Sequence, residues 1–373
     1  MQDKNDNNPR VRFKDKNPDN KVFFNTLRAR VDAYFKQNNI SRYGNERMVW
    51  KTIILMCAYV VPFVLLLVLP PVTWMGFCLW SLMGLSLAGI GMSVMHDANH
   101  GAYSPNATQN YWLGHTLNLL GASVFNWKLQ HNILHHTYTN VVHKDDDIDD
   151  KLIMRFSPHT EVKWYHQFQY IYAFVFYGIL TLYWAILKDF IQFSQYTHEG
   201  VNAASRKENR IIFTKILLIK VFYFAVFLVL PITLMHLPAS YIILGFLWMH
   251  FIAGIVLTVI FQLAHTVEQT SHPLPNADGF IENTWAIHQL NTTVNFSRQN
   301  KWLSWYVGGL NFQVEHHLFP MICHVHYPAI SVIVKETAEE FGIPYLENRT
   351  FWMALKSHIG ALKLFGKIEP VLA

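Results

Sequence analysis

Residues 72–100 read VTWMGFCLWSLMGLSLAGIGMSVMHDANH. The stretch 72–95 carries no charged side chain and is long enough to cross about 30 Å of hydrocarbon. It runs without a break into His96, and His100 follows four residues later, one helical turn on and on the same face. A membrane span that ends in paired imidazoles sets two expectations at once: an integral membrane protein, and a metal site at the edge of the bilayer.

Outward from this stretch the pattern repeats. A second apolar run, 50–69, precedes it across Pro70-Pro71, which allows a tight hairpin. Arg42 and Arg47 lie before the first run, Lys51 lies at its start and the hairpin has no charge, so positive-inside logic puts the N-terminus in the cytoplasm. Three more apolar stretches follow at 167–187, 212–235 and 239–262. Two further histidine clusters are HNILHH at 131–136 and QVEHH at 313–317. Clusters that act together must lie on one side of the membrane, so only an even number of the last three stretches crosses. The linker 192–210 carries Arg206, Lys207 and Arg210, whereas 236–238 has no lysine or arginine. Stretch 167–187 is therefore read as interfacial or re-entrant, and 111–127 cannot cross. The expected fold is an all-α integral membrane protein with four transmembrane helices in two hairpins. A cytosolic helical cap holds the histidines.

Composition agrees. Of 373 residues, 51% are hydrophobic and only 15% charged, well under the soluble average. The net charge of +5 suits anionic headgroups or an acidic carrier; no basic stripe interleaved with aromatics marks a nucleic-acid binder. The three cysteines, Cys57, Cys78 and Cys323, form no CxxC pair, so neither a disulfide framework nor a thiolate site is expected. The polar start has no apolar core of a cleaved secretory signal. Residues 1–46 are read as a cytosolic polar and amphipathic segment and 47–373 as the membrane domain. Within the former, Phe23, Leu27, Val31 and Tyr34/Phe35 share a helical stripe. That stripe fits a membrane interface or the protein's own cytosolic surface equally well. No apolar run contains Asp or Glu, which argues against a proton-coupled transporter. Lys220 is expected to snorkel from a span end, and His250 to be a hydrogen-bonded packing residue.

In HNILHH, a regular helix puts His131 and His135 on one face and turns His136 about 100° away. His316 and His317 repeat the split. Seven imidazoles near one place are too many for one ion, and structural or catalytic zinc stops at three or four protein ligands. Two redox metals fit better, iron first, with copper or manganese left open by spacing alone.

These motifs resemble those of the membrane fatty acid desaturases. HDANH, HNILHHTYTN and GGLNFQVEHHLFP are similar to that family's three histidine boxes in type, order and spacing, over roughly residues 50–345. Glutamine opening the third box resembles the front-end subgroup, which desaturates between an existing double bond and the carboxyl end. The resemblance implies His96, His100, His131, His135, His136, His316 and His317 as ligands of two iron ions. It adds His265 in QLAHTVEQ, where the family carries an extra histidine, and it puts Gln313 where relatives have another ligand, binding directly or through water. Asp97, Glu268 and Glu315 are candidates to orient ligand imidazoles. The run KDDDIDD at 144–150 is either a solvated turn or part of that support, and His288 and His326 are read as ordinary polar residues.

The implied activity is O2-dependent insertion of a cis double bond into an acyl chain carried on coenzyme A or a lipid. Electrons come from outside. The sequence has no HPGG haem motif, so a separate donor of ferredoxin or cytochrome b5 type is expected. The basic residues Arg10, Arg12, Lys14 and Lys16 are candidates to meet an acidic donor, coenzyme A or headgroups, or form a solubilising tail. The alternatives are hydroxylation at the same kind of site, and a histidine-rich metal- or haem-binding membrane protein without lipid chemistry.

Overall fold

The computed structural model describes residues 11–15, 17, 19–69, 73–148, 153–235 and 237–367. The Pro70-Pro71 link, Arg10, Lys16, His236 and Asp149–Asp150 of the acidic run lie outside them.

Among the described residues, five helices are long and apolar enough to cross a membrane: α2 (Glu46–Val68), α3 (Thr73–Asn99), α6 (Trp164–His198), α7 (Arg206–Leu234) and α8 (Ala239–His265). The sequence reading counts four crossings; the stretch it set aside, 167–187, is the apolar part of the 35-residue helix α6. Local signals start these helices. Asn45 caps α2 by accepting from the Arg47 amide at 3.0 Å. Ser205 and Glu208 form a reciprocal capping box on α7. Their apolar faces build one core, in which Leu55, Trp80, Met83, Phe227, Phe246 and Met249 are buried.

Small residues set the closest helix contact. A Cβ on Gly254 of α8 would lie 2.5 Å from the Tyr177 carbonyl and 2.6 Å from that of Gly178 on α6. These backbones touch, as membrane helices do where glycine replaces a side chain. His250, one turn earlier, is buried and bonds Tyr223 at 2.9 Å and Thr181 at 3.1 Å, the packing role expected of it. Lys220 does not snorkel. It is buried, ion-paired with Asp189, and donates to the carbonyls of Gly121 (2.6 Å) and Trp184 (2.7 Å). The acceptors on α6 hold the ammonium inside, where a lone lysine would reach for water.

The shorter helices make the cap: α1 (Asp19–Gln37), α4 (Ala107–Gly114), α5 (residues 124–138), α9 (Trp285–Thr292), α10 (Lys301–Tyr306), α11 (Gln313–Leu318), α12 (Tyr327–Glu340) and α13 (Phe351–Phe365). Phe23, Leu27, Val31 and Phe35 of α1 are buried with Ile330, Val334 and Ala338 of α12. The amphipathic stripe therefore faces the protein's own cap. Two parallel two-residue pairings tie distant segments together: β1 (Arg12–Phe13) with β2 (Phe280–Ile281), and β3 (Asn295–Phe296) with β4 (Glu347–Asn348).

Candidate metal centre

Three helix ends and one short cap helix converge on a buried pocket of imidazoles. The last turns of α3 deliver His96 and His100. Just before them, Ile90–Val94 widens into a π-helical turn, a distortion that recurs at functional sites. Residues Lys128–His135 of α5 are π-helical too. This corrects the regular-helix reading of the second cluster. In a π-helix residues i and i+5 come together, so His136 turns toward His131, their Nε2 atoms 3.3 Å apart. His265 ends α8, and α11 supplies His316 and His317.

All eight histidines meet. Ligand nitrogens of His96, His100, His131 and His316 lie within 4.8 Å of one another, as do those of His135, His265 and His317. A third set, His136 with His316 and His317, bridges the two nests. Each is buried, and together they carry more nitrogens than internal hydrogen bonds use. Nε2 of His100, His135, His316 and His317, and both nitrogens of His265, have no partner. His96 Nε2 faces His131 Nε2 at 3.2 Å. Two lone pairs about 2.1 Å from a shared ion, at right angles, would be about 3.0 Å apart. The arrangement thus fits two metal ions, one per nest.

The outer nitrogens are held, which fixes the tautomer of the inner ones. His135 Nδ1 is 3.0 Å from Asp145. His317 Nδ1 is 2.8 Å from Gln289 Oε1, and His316 Nδ1 is 3.3 Å from the Tyr327 hydroxyl. Burial holds His100, His136, His316 and His317 well below the usual histidine range, and His131 at about 3. They are neutral at physiological pH, the form that binds metal. In His135, burial works the same way but Asp145 and Asp147 outweigh it, and its pKa is raised.

Other sequence candidates divide. The acidic run lies behind the ligands: Asp145 on His135, Asp147 within 3.7 Å of His131, and Asp146 hydrogen-bonded to Gln192 at 2.6 Å. Asp97 sits 3.6 Å from His96, but its 2.8 Å bond goes to His324, whose other nitrogen meets Lys51 at 2.7 Å. Glu315 bonds Asn295 and Tyr345 at 2.8 Å, and burial pushes it up to about 7. Neither Glu315 nor Glu268, whose amide donates to Ser357, orients a ligand. His326 bonds the Tyr43 carbonyl and His288 packs on Phe13, both away from the centre. Gln289, Thr139 and Tyr327 escaped the sequence reading. Gln289 lies 28 residues before His317 and carries no local motif.

A cavity of about 150 Å³ opens beside the first nest, lined by His96, His131 and Gln313. The carbonyl oxygen of Gln313 is buried and without a hydrogen-bond partner. From there the cavity runs between α3, α6 and α8 along Leu87, Gly91, Leu117, Leu180 and Leu257. Parts of the aromatic stretches 111–127 and 164–184 line it too.

Residues 71–349, which span all three histidine clusters, match the family model described as fatty acid desaturase. The chain belongs to the fatty acid desaturase family. The desaturase is 36% identical over 343 residues to an sn-1 linoleoyl-lipid 6-desaturase of Arthrospira platensis, covering 91% of this chain and 92% of that one. To an sn-1 linoleoyl-lipid 6-desaturase of Synechocystis it is 34% identical, covering 96% and 98%. To an acyl-lipid (8-3)-desaturase of Physcomitrium patens it is 36% identical, covering 94% and 73%. The resemblance read from the histidine boxes is borne out.

Proposed function

We propose that the desaturase inserts a cis double bond on the carboxyl side of an existing one, in an acyl chain carried on a membrane lipid. The observation that carries this is an apolar cavity that opens beside the first of two adjoining imidazole nests. The relatives named above act on linoleoyl and other acyl lipids, which favours a lipid over coenzyme A as carrier.

Two irons fit the donor set best: His96, His100, His131 and His316 for one, His135, His265 and His317 for the other, with His136 between them. Gln313, whose buried side-chain oxygen has no partner, lines the cavity with His96 and His131 of the first. Iron held there, with electrons from an external donor, would supply the O2 activation needed to remove hydrogen from two adjacent methylenes. The protein's part is placement. Asp145 and Gln289 keep a proton on the outer nitrogens of His135 and His317, so the inner lone pairs stay aimed. The cavity walls hold one stretch of chain against the nests and keep water away, and that register decides which bond is oxidised.

Parity supports four crossings. The C-terminal ends of α3 and α8 meet in one centre, so an even number of crossings separates those ends, and α7 ends beside the start of α8. Helix α6 touches centre-side segments at both ends: Gln169 donates to the Leu362 carbonyl of α13, and Asp189 accepts from the Ser123 amide. A crossing helix does so at one end only. This favours α6 as interfacial, with residues 47–373 forming the membrane domain and 1–46 closing its cap. Trp164, Trp302 and Trp352 are exposed by more than 70%, which suits a bilayer interface at the level of the cap. A cytoplasmic face for the centre follows the positive charge at Arg42, Arg47, Arg206 and Lys207, and a ferredoxin- or cytochrome b5-type donor would meet it there.

The test is expression of the chain and a His316→Ala control in bacteria fed saturated, monoenoic and dienoic acids, with lipids located and quantified by mass spectrometry. A new double bond in the wild type alone, on the carboxyl side of an old one, is expected. Iron-loaded protein that adds oxygen instead would replace desaturation by hydroxylation. Protein that retains no iron would overturn the assignment of the centre.

A further inference from the structure

Two polar side chains in the apolar arm of the cavity have no part in the reading above. Thr258 and Gln262 lie one turn apart on α8, and both line the cavity. They are 6% and 2% exposed. Thr258 Oγ1 and Gln262 Oε1 have no hydrogen-bond partner. Among the described residues, the other buried threonines within helices are satisfied, although Thr266, just past the end of α8, is not. Thr292 and Thr337 donate to the carbonyl four residues earlier, and Thr181, across the cavity, donates to His250. A buried polar atom left unpaired costs about 1–3 kcal/mol, which valine and leucine of similar shape would avoid. Something in the cavity must offset that cost, and a saturated chain offers no partner.

Depth narrows the choice of partner. A helix rises 1.5 Å per residue, so Gln262 lies about 4.5 Å and Thr258 about 10 Å before His265, on the membrane side of the centre. The carbonyl of an acyl lipid belongs at the other, polar arm, among Gln130, Asp146 and Lys188. Only hydrocarbon reaches Thr258, and the one polar feature a hydrocarbon tail offers is a C=C bond: its π face accepts a weak hydrogen bond from the Thr258 hydroxyl, and its vinylic C–H groups donate a weak one to Gln262 Oε1. We propose that Thr258 and Gln262 recognise a double bond already present in the acyl chain, selecting unsaturated chains and setting their register under the metal centre. This rests on the acyl desaturase reading. Recognition here makes and breaks no covalent bond.

The test uses purified full-length protein in detergent and reads binding before turnover. Displacement of a fluorescent fatty acid by linoleate and by stearate gives the preference of the wild type, of T258V/Q262L, and of T258S, which keeps the hydroxyl. Desaturation of dienoic against saturated chains in cells is measured beside it. The wild type is expected to prefer linoleate, and T258V/Q262L to lose about three- to ten-fold of that preference, the size of one or two weak hydrogen bonds. T258S should keep it, and iron content should be unchanged in both variants. A wild type that binds both acids equally, or a double variant with the same preference, overturns the proposal. A preference that falls in the variant while no protein makes a double bond supports recognition and overturns the desaturase reading instead.

Discussion

Replacing Gln289 by leucine removes one side chain from behind the second nest. Its Oε1 accepts from His317 Nδ1 at 2.8 Å and lies 2.8 Å from the Thr139 hydroxyl, while its Nε2 donates to the His136 carbonyl at 3.2 Å. Gln289 is fully buried, so no water replaces it. Without the amide, His317 Nδ1 keeps only the longer 3.2 Å contact to the Thr139 hydroxyl, so the preference for the proton on Nδ1 weakens and the inner lone pair is less well held. The loss of such a supporting contact lowers metal affinity about 10–100-fold, or about 1.4–2.7 kcal/mol. Thr139 still has the His135 carbonyl at 2.7 Å, so the fold around α5 should persist. Q289E, whose carboxylate still accepts from His317 but cannot donate to His136, should fall between. The assay is iron retained by purified protein against rising chelator, with helicity followed by circular dichroism. If Q289L releases iron at a chelator concentration within two-fold of the wild type, the tautomer-locking role is wrong.

Further outcomes follow from the same geometry. K220M leaves Asp189 buried without its cation and should destabilise the protein by about 3–5 kcal/mol, with K220M/D189N recovering part; unfolding in detergent measures both. Val at Gly254 drives a side chain into the Tyr177 and Gly178 carbonyls and parts α6 from α8, so thermal stability and desaturation should fall together. Burial lowers His272 and His288 to about 4, so the unfolded chain takes up protons first as pH falls below about 6.5. Stability is therefore fully present above that pH and drains away between about 6.5 and 4, by about 1.4 kcal/mol per unit for each histidine. H288Q should show a shallower fall than the wild type, a difference that separates this effect from acid release of the metal.

The histidine clusters are legible because each is local. HDANH and QVEHH carry their spacing within one turn or two, and apolar runs on either side tell which edge of the membrane they occupy. His136 was placed on the wrong side because a π-helical segment has no compositional sign. The supports were hidden for a different reason. Thr139 and Gln289 meet across 150 residues of chain, and Asp97 meets His324 across 227. Nothing in either neighbourhood marks the pair. Lys220 was misread because its partner Asp189 sits in a helix whose apolar part drew all the attention.

The burial of α1 against α12 has a consequence for how the molecule is made. Phe23, Leu27, Val31 and Phe35 are synthesised early, and Ile330 and Val334 about 300 residues later. At about 5–20 residues per second, α1 waits roughly 15–60 s for the surface that finally covers it. During that interval its apolar stripe, with Arg28, Arg30 and Lys36 elsewhere around the helix, is suited to rest on the membrane into which α2 and α3 are being inserted. The two readings of this stripe from sequence then become two moments of one history. On that route closure of the cap waits for α12, which is made only after His316 and His317.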